Sequence, residues 1–198
     1  MEKKLVFKIA QYVFGFLVFL LAVSSWFYAY SYYQENKSDI WLQVGVVVET
    51  ITFPFKLAEL ATEEPVSEIP VPVFGVNLSQ VADTWGDARS EGRTHEGTDI
   101  FAERGTPVYA ATRGYVVRTG ENNLGGTIVF TVGPGGIRYY YAHLDRIAEG
   151  IDFGTPVTTD TVIGFVGNTG NAETTSPHLH FGIYNRGPQN PYPFLVDR

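Results

Sequence analysis

Cysteine is absent from the 198-residue chain. Disulfide bonds, thiolate metal ligands and cysteine nucleophiles are therefore excluded, and any zinc site has to be built from His, Asp or Glu. Histidine is scarce as well, with four residues in the whole chain. Charged residues make up only 18% of the sequence and hydrophobic residues 44%, a balance that favours folded structure over disorder.

Clustered positive charge is also lacking. The formal net charge is -7, and the C-terminal half contains no run rich in Lys and Arg. Binding to phosphate backbones needs such clusters, so we expect no nucleic-acid partner. The 21 Gly and 11 Pro predict frequent turns, which suit short strands better than long helices.

A long apolar run lies near the N-terminus, where residues 9–34 carry no charge. Residues 12–30 would form a helix of roughly 28 Å, about the thickness of one bilayer core. Three lysines precede the run: Lys3, Lys4 and Lys8. By the positive-inside rule, they place residues 1–11 in the cytoplasm and the rest of the chain beyond the inner membrane. The sequence thus predicts a single-pass anchor in the lipid bilayer at 12–30.

Two other interpretations of this run are a cleaved signal peptide and a buried core helix. Residues 22–24 loosely fit a signal-peptidase site, but bulky Trp26, Phe27 and Tyr28 extend the apolar run past it. The length and the one-sided lysine flank speak against a core helix. An uncleaved anchor is therefore favoured.

Residues 31–70 are predicted to connect the anchor to a domain at 71–198. The stretch 39–60 is fairly apolar with a breaker at Pro54, and its periodicity does not distinguish a short helix, a strand or a partner-binding segment. Its charged residues argue against a second membrane span. Residues 63–72 are rich in Glu and Pro, which predicts an extended linker.

From residue 71 onward, short β-rich runs alternate with Gly-rich turns. The runs are 107–110, 115–117, 127–132, 137–141, 162–166 and 178–184. This pattern predicts a mainly antiparallel β domain, as a sandwich or barrel. An internal repeat supports one duplicated turn-and-strand unit, because GTPV at 105–108 recurs at 154–157 and GYV at 114–116 recurs as GFV at 164–166.

His178 and His180 are two residues apart in a run typical of a strand. Their side chains would face the same side of a sheet, which is a common way to offer two nitrogen ligands to zinc. The alternative is a pair of structural histidines near a sheet edge. Both interpretations remain open for this pair alone.

The stretch from His95 to Asp99 superficially resembles the helical zinc motif with two histidines four residues apart. Its fifth residue is Asp, however, and Gly97 and Thr98 are poor helix formers. A loop turning at Gly97 would bring His95 and Asp99 onto one metal ion. The alternative is a turn in which Asp99 accepts backbone hydrogen bonds.

The four histidines acquire more meaning together than singly. Three ligands from His95, Asp99 and His180 would leave one open position on zinc, which is typical of catalytic sites. His143 and His178 then remain as imidazoles for proton transfer. A lone histidine such as His143, at the end of an aromatic strand, would otherwise be taken as structural.

The region from about residue 72 to 195 resembles the lysostaphin-type, or LytM-like, zinc metalloendopeptidases. The matching motifs are GRTHEGTDI at 92–100, GTPV at 105–108, YYAHL at 140–144, GNTG at 167–170 and PHLHF at 177–181. The resemblance implies an antiparallel β-sandwich with an internal duplication, the duplicated hybrid motif. One departure is Asp160, which stands where the family usually has Gly.

The same resemblance implies what the site does. It assigns His95, Asp99 and His180 as ligands of one Zn²⁺ ion, and His143 and His178 as catalytic histidines. The expected reaction is hydrolysis of peptide bonds in bacterial peptidoglycan by water activated at zinc, with either catalytic histidine as the base. The expected location of the domain is periplasmic or otherwise extracytoplasmic.

Three other functions compete with this one. Some relatives that have lost zinc ligands regulate other wall hydrolases, but here the ligand and histidine set is complete. Sugar-phosphotransfer carriers share the duplicated β architecture, yet they are cytoplasmic and need no such ligand set. A zinc peptidase acting on proteins also fits the sequence, and a regulatory protein partner is not identified by any motif.

Overall fold

The computed structural model describes residues 2–89 and 92–198. The chain divides into two compact units, Met1–Thr52 and Phe53–Arg198. The first unit consists of most of one long helix, α1, which runs over Glu2–Ala61. Its stretch Tyr12–Asp39 is long and apolar enough to cross a membrane and is not buried against the protein. A signal sequence near the N-terminus has the same length and composition, so these properties are shared by a membrane anchor and a signal sequence.

The apolar stretch 39–60 is helical, because it lies within α1. The last part of this helix, from Phe53 onward, belongs to the second unit. The helix continues through Pro54, although proline removes one backbone donor from a helix. Phe53 and Leu60 are buried, and the Phe53 ring lies 5.6 Å from Tyr115 and 4.9 Å from Phe153. Packing against the β domain thus stabilises this last part of the helix.

The segment after α1 is extended, and its end is part of the domain core. Strand β1 (Ile69–Pro70) pairs in parallel with β11 (Leu195–Val196) near the C-terminus. Ile69, Val71 and Val73 are buried. These three side chains thus belong to the same hydrophobic core as the strands that follow.

The remaining strands form an antiparallel sheet. They are β2 (Thr98–Phe101), β3 (Pro107–Tyr109), β4 (Gly114–Asn122), β5 (Gly126–Val132), β6 (Arg138–Ile147), β7 (Pro156–Val157), β8 (Val162–Val166), β9 (His178–Tyr184) and β10 (Pro188–Gln189). The order of the main path is β10-β9-β6-β5-β4-β7; β2 also pairs with β9, and β8 pairs with β3 and β6. The six β-rich runs correspond to β3, β4, β5, β6, β8 and β9, so the predicted antiparallel β class is confirmed.

The internal repeat has a structural counterpart. Strands β3 and β4 belong to the first copy, and β7 and β8 to the second. The first strand of each copy pairs with the second strand of the other, as β3 with β8 and β4 with β7. The turns match too, because Gly105 donates to the Val166 carbonyl and Gly154 to the Val116 carbonyl, each over 2.8 Å.

Those two glycines have nearly the same left-handed backbone, with φ of 86° at Gly105 and 85° at Gly154. A left-handed φ favours glycine, which explains why both copies keep it at this turn. Asp160, the departure noted in the sequence, does not have a left-handed φ. Its turn closes instead by hydrogen bonds between Thr158 and Thr161, so Asp is accommodated there without strain.

Candidate metal centre and active site

The two histidines of β9 lie on one face of the sheet, the same face that carries Asp99 of the neighbouring strand β2. In the antiparallel register Asp99 is directly opposite His180, and Leu179 between the two histidines is fully buried in the core. Nε2 of His178 lies 3.9 Å and Nδ1 of His180 3.1 Å from Oδ1 of Asp99. One strand pairing therefore brings both imidazoles to the same carboxylate.

His95 reaches this carboxylate from a hairpin that precedes β2. The amide of His95 donates to the Asp87 carbonyl over 2.8 Å, and Gly86 donates back to the His95 carbonyl over 2.9 Å. The chain then passes Gly97, where a Cβ would lie 2.5 Å from Cε1 of His180. Only glycine lets the backbone approach the His180 ring this closely, so Gly97 fixes the distance between the two ligand-bearing segments.

Three donor atoms converge where these segments meet. Nε2 of His95 is 2.9 Å from Nδ1 of His180 and 3.0 Å from Oδ1 of Asp99, and the third side of the triangle is 3.1 Å. Ligands about 2.0–2.1 Å from a tetrahedral zinc ion are about 3.3 Å apart, so the triangle is of the right size. Two nitrogens and one carboxylate oxygen also suit zinc chemically. Among the described residues, His95, Asp99 and His180 form a group that could hold a metal ion.

The protonation of the three residues favours metal binding. Nδ1 of His95 lies 2.7 Å from the Thr84 carbonyl, which can only accept, so the proton sits on Nδ1 and the lone pair on Nε2. Burial raises the pKa of Asp99, but hydrogen bonds with His180 and His95 outweigh it and hold the pKa of this carboxyl below its usual range. Burial lowers the pKa of His180. The centre thus offers Nε2 of His95, a His180 ring whose pKa is lowered, and the carboxylate of Asp99.

His143 stands on an irregularity of β6. It has a left-handed φ of 61°, and the pairing of β5 with β6 shifts register around it. Such a bulge redirects a side chain, and here it brings the His143 ring to 5.0 Å from the His178 ring and 5.9 Å from the His180 ring. Left-handed backbone is uncommon outside glycine, and it clusters at functional sites.

Both remaining histidines are oriented through Nδ1. Nδ1 of His143 donates to the Thr169 carbonyl over 2.8 Å, and Nδ1 of His178 donates to the Ser176 carbonyl over 2.9 Å. Nε2 of each ring is therefore the basic nitrogen. Burial lowers the pKa of His143 to about 4, against the hydrogen bond to Thr169, so this ring is neutral at pH 7.

Aromatic rings flank the centre on two sides. The Tyr140 ring lies 5.8 Å from the His180 ring and stacks on Phe130 at 4.4 Å. On the other side, the exposed Phe101 ring lies 5.1 Å from the His178 ring. The walls beside the histidines are thus largely apolar.

The structure brings together all five residues that the sequence singled out: His95, Asp99, His143, His178 and His180. Sequence reasoning missed Arg89, whose Nη2 lies 2.5 Å from Oδ2 of Asp99. It also missed Thr169, whose hydroxyl accepts from the Thr127 amide and donates to the Leu144 carbonyl, which fixes the segment that holds His143. The GNTG motif at 167–170 contains Thr169 and could have indicated it. No motif in the sequence indicated Arg89.

The class of protein is thus an antiparallel β domain that carries a group able to hold a metal ion beside two further histidines. The family model of Peptidase family M23 matches residues 93–191, half of the chain, and this range holds all five residues. The chain belongs to Peptidase family M23.

Similar proteins agree with this assignment. The L-Ala–D-Glu endopeptidase of Bacillus subtilis (strain 168) is 41% identical over 124 residues, which cover 57% of this chain and 38% of that protein. The catalytic domain of lysostaphin, the antimicrobial peptidase of Staphylococcus simulans, superposes with a TM-score of 0.53 at 32% identity. That match covers 59% of this chain and 93% of that domain.

A zinc-containing peptidase of Vibrio cholerae is also similar in structure, with a TM-score of 0.51 at 25% identity. It covers 66% of this chain and 40% of that protein. The chain spans well under half the length of the curated relatives that it matches first, at 38%, 30% and 25% of their lengths. What those relatives do as whole proteins is therefore a hypothesis for this chain.

Proposed function

We propose that the protein is a membrane-anchored, zinc-dependent endopeptidase that hydrolyses stem or cross-link peptides of bacterial peptidoglycan. The observation that carries this proposal is the convergence of His95, Asp99 and His180 on one point beside two imidazoles that are each oriented by a hydrogen bond from Nδ1 to a backbone carbonyl. A regulator without activity would need neither the ligand group nor the two oriented histidines.

In this proposal, one zinc ion is held by Nε2 of His95, Oδ1 of Asp99 and Nδ1 of His180. Three protein ligands leave a fourth position open, as in other catalytic zinc sites. Bound zinc supplies Lewis-acid polarisation of a carbonyl and a lowered pKa for water. The carboxylate of Asp99 contributes the one negative charge of the ligand set, which offsets part of the charge of the cation.

His143 and His178 move protons in this scheme. In each ring, Nδ1 donates a hydrogen bond to a backbone carbonyl. Nε2 is therefore the nitrogen placed to accept the proton of the attacking water. The ring that becomes protonated then donates to the leaving amine. Because burial lowers the pKa of His143 to about 4, this ring is neutral at pH 7 and starts the cycle able to act as a base.

The proposed substrate follows from the similar proteins. Names of relatives include an L-Ala–D-Glu endopeptidase, a glycyl-glycine endopeptidase and a peptidoglycan DD-endopeptidase. These enzymes cut different bonds, so wall peptides as a class are the shared substrate. The apolar walls around Tyr140 and Phe101 suit an uncharged stretch of peptide backbone next to the scissile bond.

A digestion tests the proposed activity. Detergent-solubilised full-length protein is incubated with purified peptidoglycan, and new amino termini are identified by mass spectrometry. We expect new termini that disappear with a chelator, return with added zinc and are absent for His180→Ala. Intact peptidoglycan after incubation with a folded, zinc-loaded chain would rule out the peptidase.

The anchor is tested separately. If residues 12–39 span the membrane with the N-terminus inside, the full chain should stay with the membrane in alkaline carbonate. External protease added to spheroplasts should then remove the domain while leaving an N-terminal tag protected. Release of a shortened chain into the medium or periplasm would show a cleaved signal peptide instead.

A further inference from the structure

Asp99 divides its two oxygens between different partners. Oδ1 lies 3.0 Å from Nε2 of His95 and 3.1 Å from Nδ1 of His180, inside the candidate metal centre. Oδ2 lies 2.5 Å from Nη2 of Arg89. The Asp99 side chain is 8% exposed and that of Arg89 is 37% exposed, so the pair lies at the edge of the centre with its carboxylate inside.

Arg89 is held by the same hairpin that positions His95. Its amide donates to the Arg93 carbonyl over 2.9 Å, and Ala88 pairs with Thr94 across the hairpin. One local unit therefore delivers both a metal ligand and the cation that binds the neighbouring ligand. The guanidinium is not a ligand itself, because it has no lone pair to offer.

We propose that Arg89 is a positioning residue of the metal centre, which holds Oδ2 of Asp99 so that the carboxylate ligates the ion through Oδ1 alone. The inference rests on the proposed zinc site. Charge-assisted hydrogen bonds from a planar guanidinium are short and directional, and hydrogen bonds to a ligating carboxylate orient it. A single oxygen ligand from Asp99 would leave the fourth position of the ion open, as the proposed function requires.

An opposing effect makes the inference testable. A guanidinium also repels a nearby divalent cation, so removing Arg89 would strengthen zinc binding if repulsion dominated. If orientation dominates, removing it weakens binding, and loss of an outer-shell partner typically costs about 10–100-fold in metal affinity. The sign of the change in affinity therefore distinguishes the two effects.

The experiment uses the detergent-solubilised full chain and Zn²⁺ as the probe. The zinc dissociation constant is measured by competition with a chromophoric chelator for wild type, Arg89→Met, Arg89→Lys and Arg118→Met. Arg118 is an exposed arginine on β4, so its replacement removes the same charge without touching Asp99. We expect Arg89→Met to bind zinc about 10–100-fold more weakly, Arg89→Lys to lie between it and wild type, and Arg118→Met to stay within about twofold.

A second readout reports the coordination directly. In the cobalt-substituted protein, an Asp99 freed to bind through both oxygens raises the coordination number and weakens the visible absorption, so we expect a weaker band in Arg89→Met. Zinc affinities of both Arg89 variants equal to or above that of wild type would overturn the proposal. Should Arg89→Met fail to fold, Arg89→Lys carries the same comparison, because it keeps the charge and loses the planar fork. A wild-type chain that does not bind zinc would instead refute the proposed function.

Discussion

Replacing His143 or His178 by Asn is expected to lower kcat for peptidoglycan hydrolysis by about 10²–10⁴-fold, the usual contribution of a positioned general acid or base. Zinc content should not change, because neither ring belongs to the ligand group. His95→Asn, in contrast, should lose both zinc and activity. The pattern separates a proton-transfer role from a ligand role.

Asn is the informative replacement at both positions. Its amide can donate to the carbonyl that now accepts from Nδ1, which is Thr169 for His143 and Ser176 for His178. It also tolerates the left-handed φ of 61° at His143 better than most residues do. What it lacks is a basic nitrogen in the place of Nε2.

The measurement is initial rate against substrate concentration, with zinc per chain and thermal unfolding as controls. Loss of kcat at unchanged zinc content and unchanged melting would support proton transfer by that residue. Full activity in both single variants would remove both histidines from the chemistry. A loss confined to one of them would identify which ring is the base or acid.

The second large effect concerns stability. A fragment of residues 71–198 is expected to be less stable than a fragment of residues 50–198 by several kcal/mol, because it lacks Phe53, Leu60 and Ile69. These side chains are 8%, 3% and 1% exposed, and burying one such side chain contributes about 1.5–3 kcal/mol. Since small domains are stable by only about 5–15 kcal/mol in total, the shorter fragment is expected to be marginal.

Single substitutions in the fragment of residues 50–198 show which side chains of α1 contribute to its stability. Leu60→Ala should cost about 2–5 kcal/mol, as for other buried leucines. Phe55→Ala is the matched control, because Phe55 lies on the same helix and is 72% exposed. Urea unfolding of the three proteins gives the free energies. Equal stability of Leu60→Ala and Phe55→Ala would show that the end of α1 does not pack on the domain in solution.

The β domain was largely predictable because its strands are short, rich in β-branched and aromatic residues, and bounded by Gly turns. The run 178–184, for example, matches β9 from end to end. The connector was less predictable. The apolar stretch up to Leu60 has no clear period, and its helix is fixed by contacts of Phe53 with Tyr115 and Phe153, which are distant in sequence.

The candidate site likewise has features that the sequence predicts and features that it does not. The residue types and spacing around His95, Asp99 and His180 predict a metal group, because they depend on local chemistry. Two features depend on the folded chain instead. The left-handed backbone at His143 arises from a register shift between β5 and β6, and the contact of Arg89 with Asp99 arises from the hairpin before β2.

The reciprocal pairing of the two sequence copies makes the domain resemble a dimer fused into one chain. Strand β3 has β8 as its partner and β7 has β4, so neither copy completes its hydrogen bonds with its own residues. The intervening β5–β6 hairpin acts as a tether that sets a high effective concentration of one copy for the other. Because these pairings join distant parts of the chain, each has to offset the entropy lost when the loop between its strands closes, and once one pairing has formed the loop left for the other is shorter.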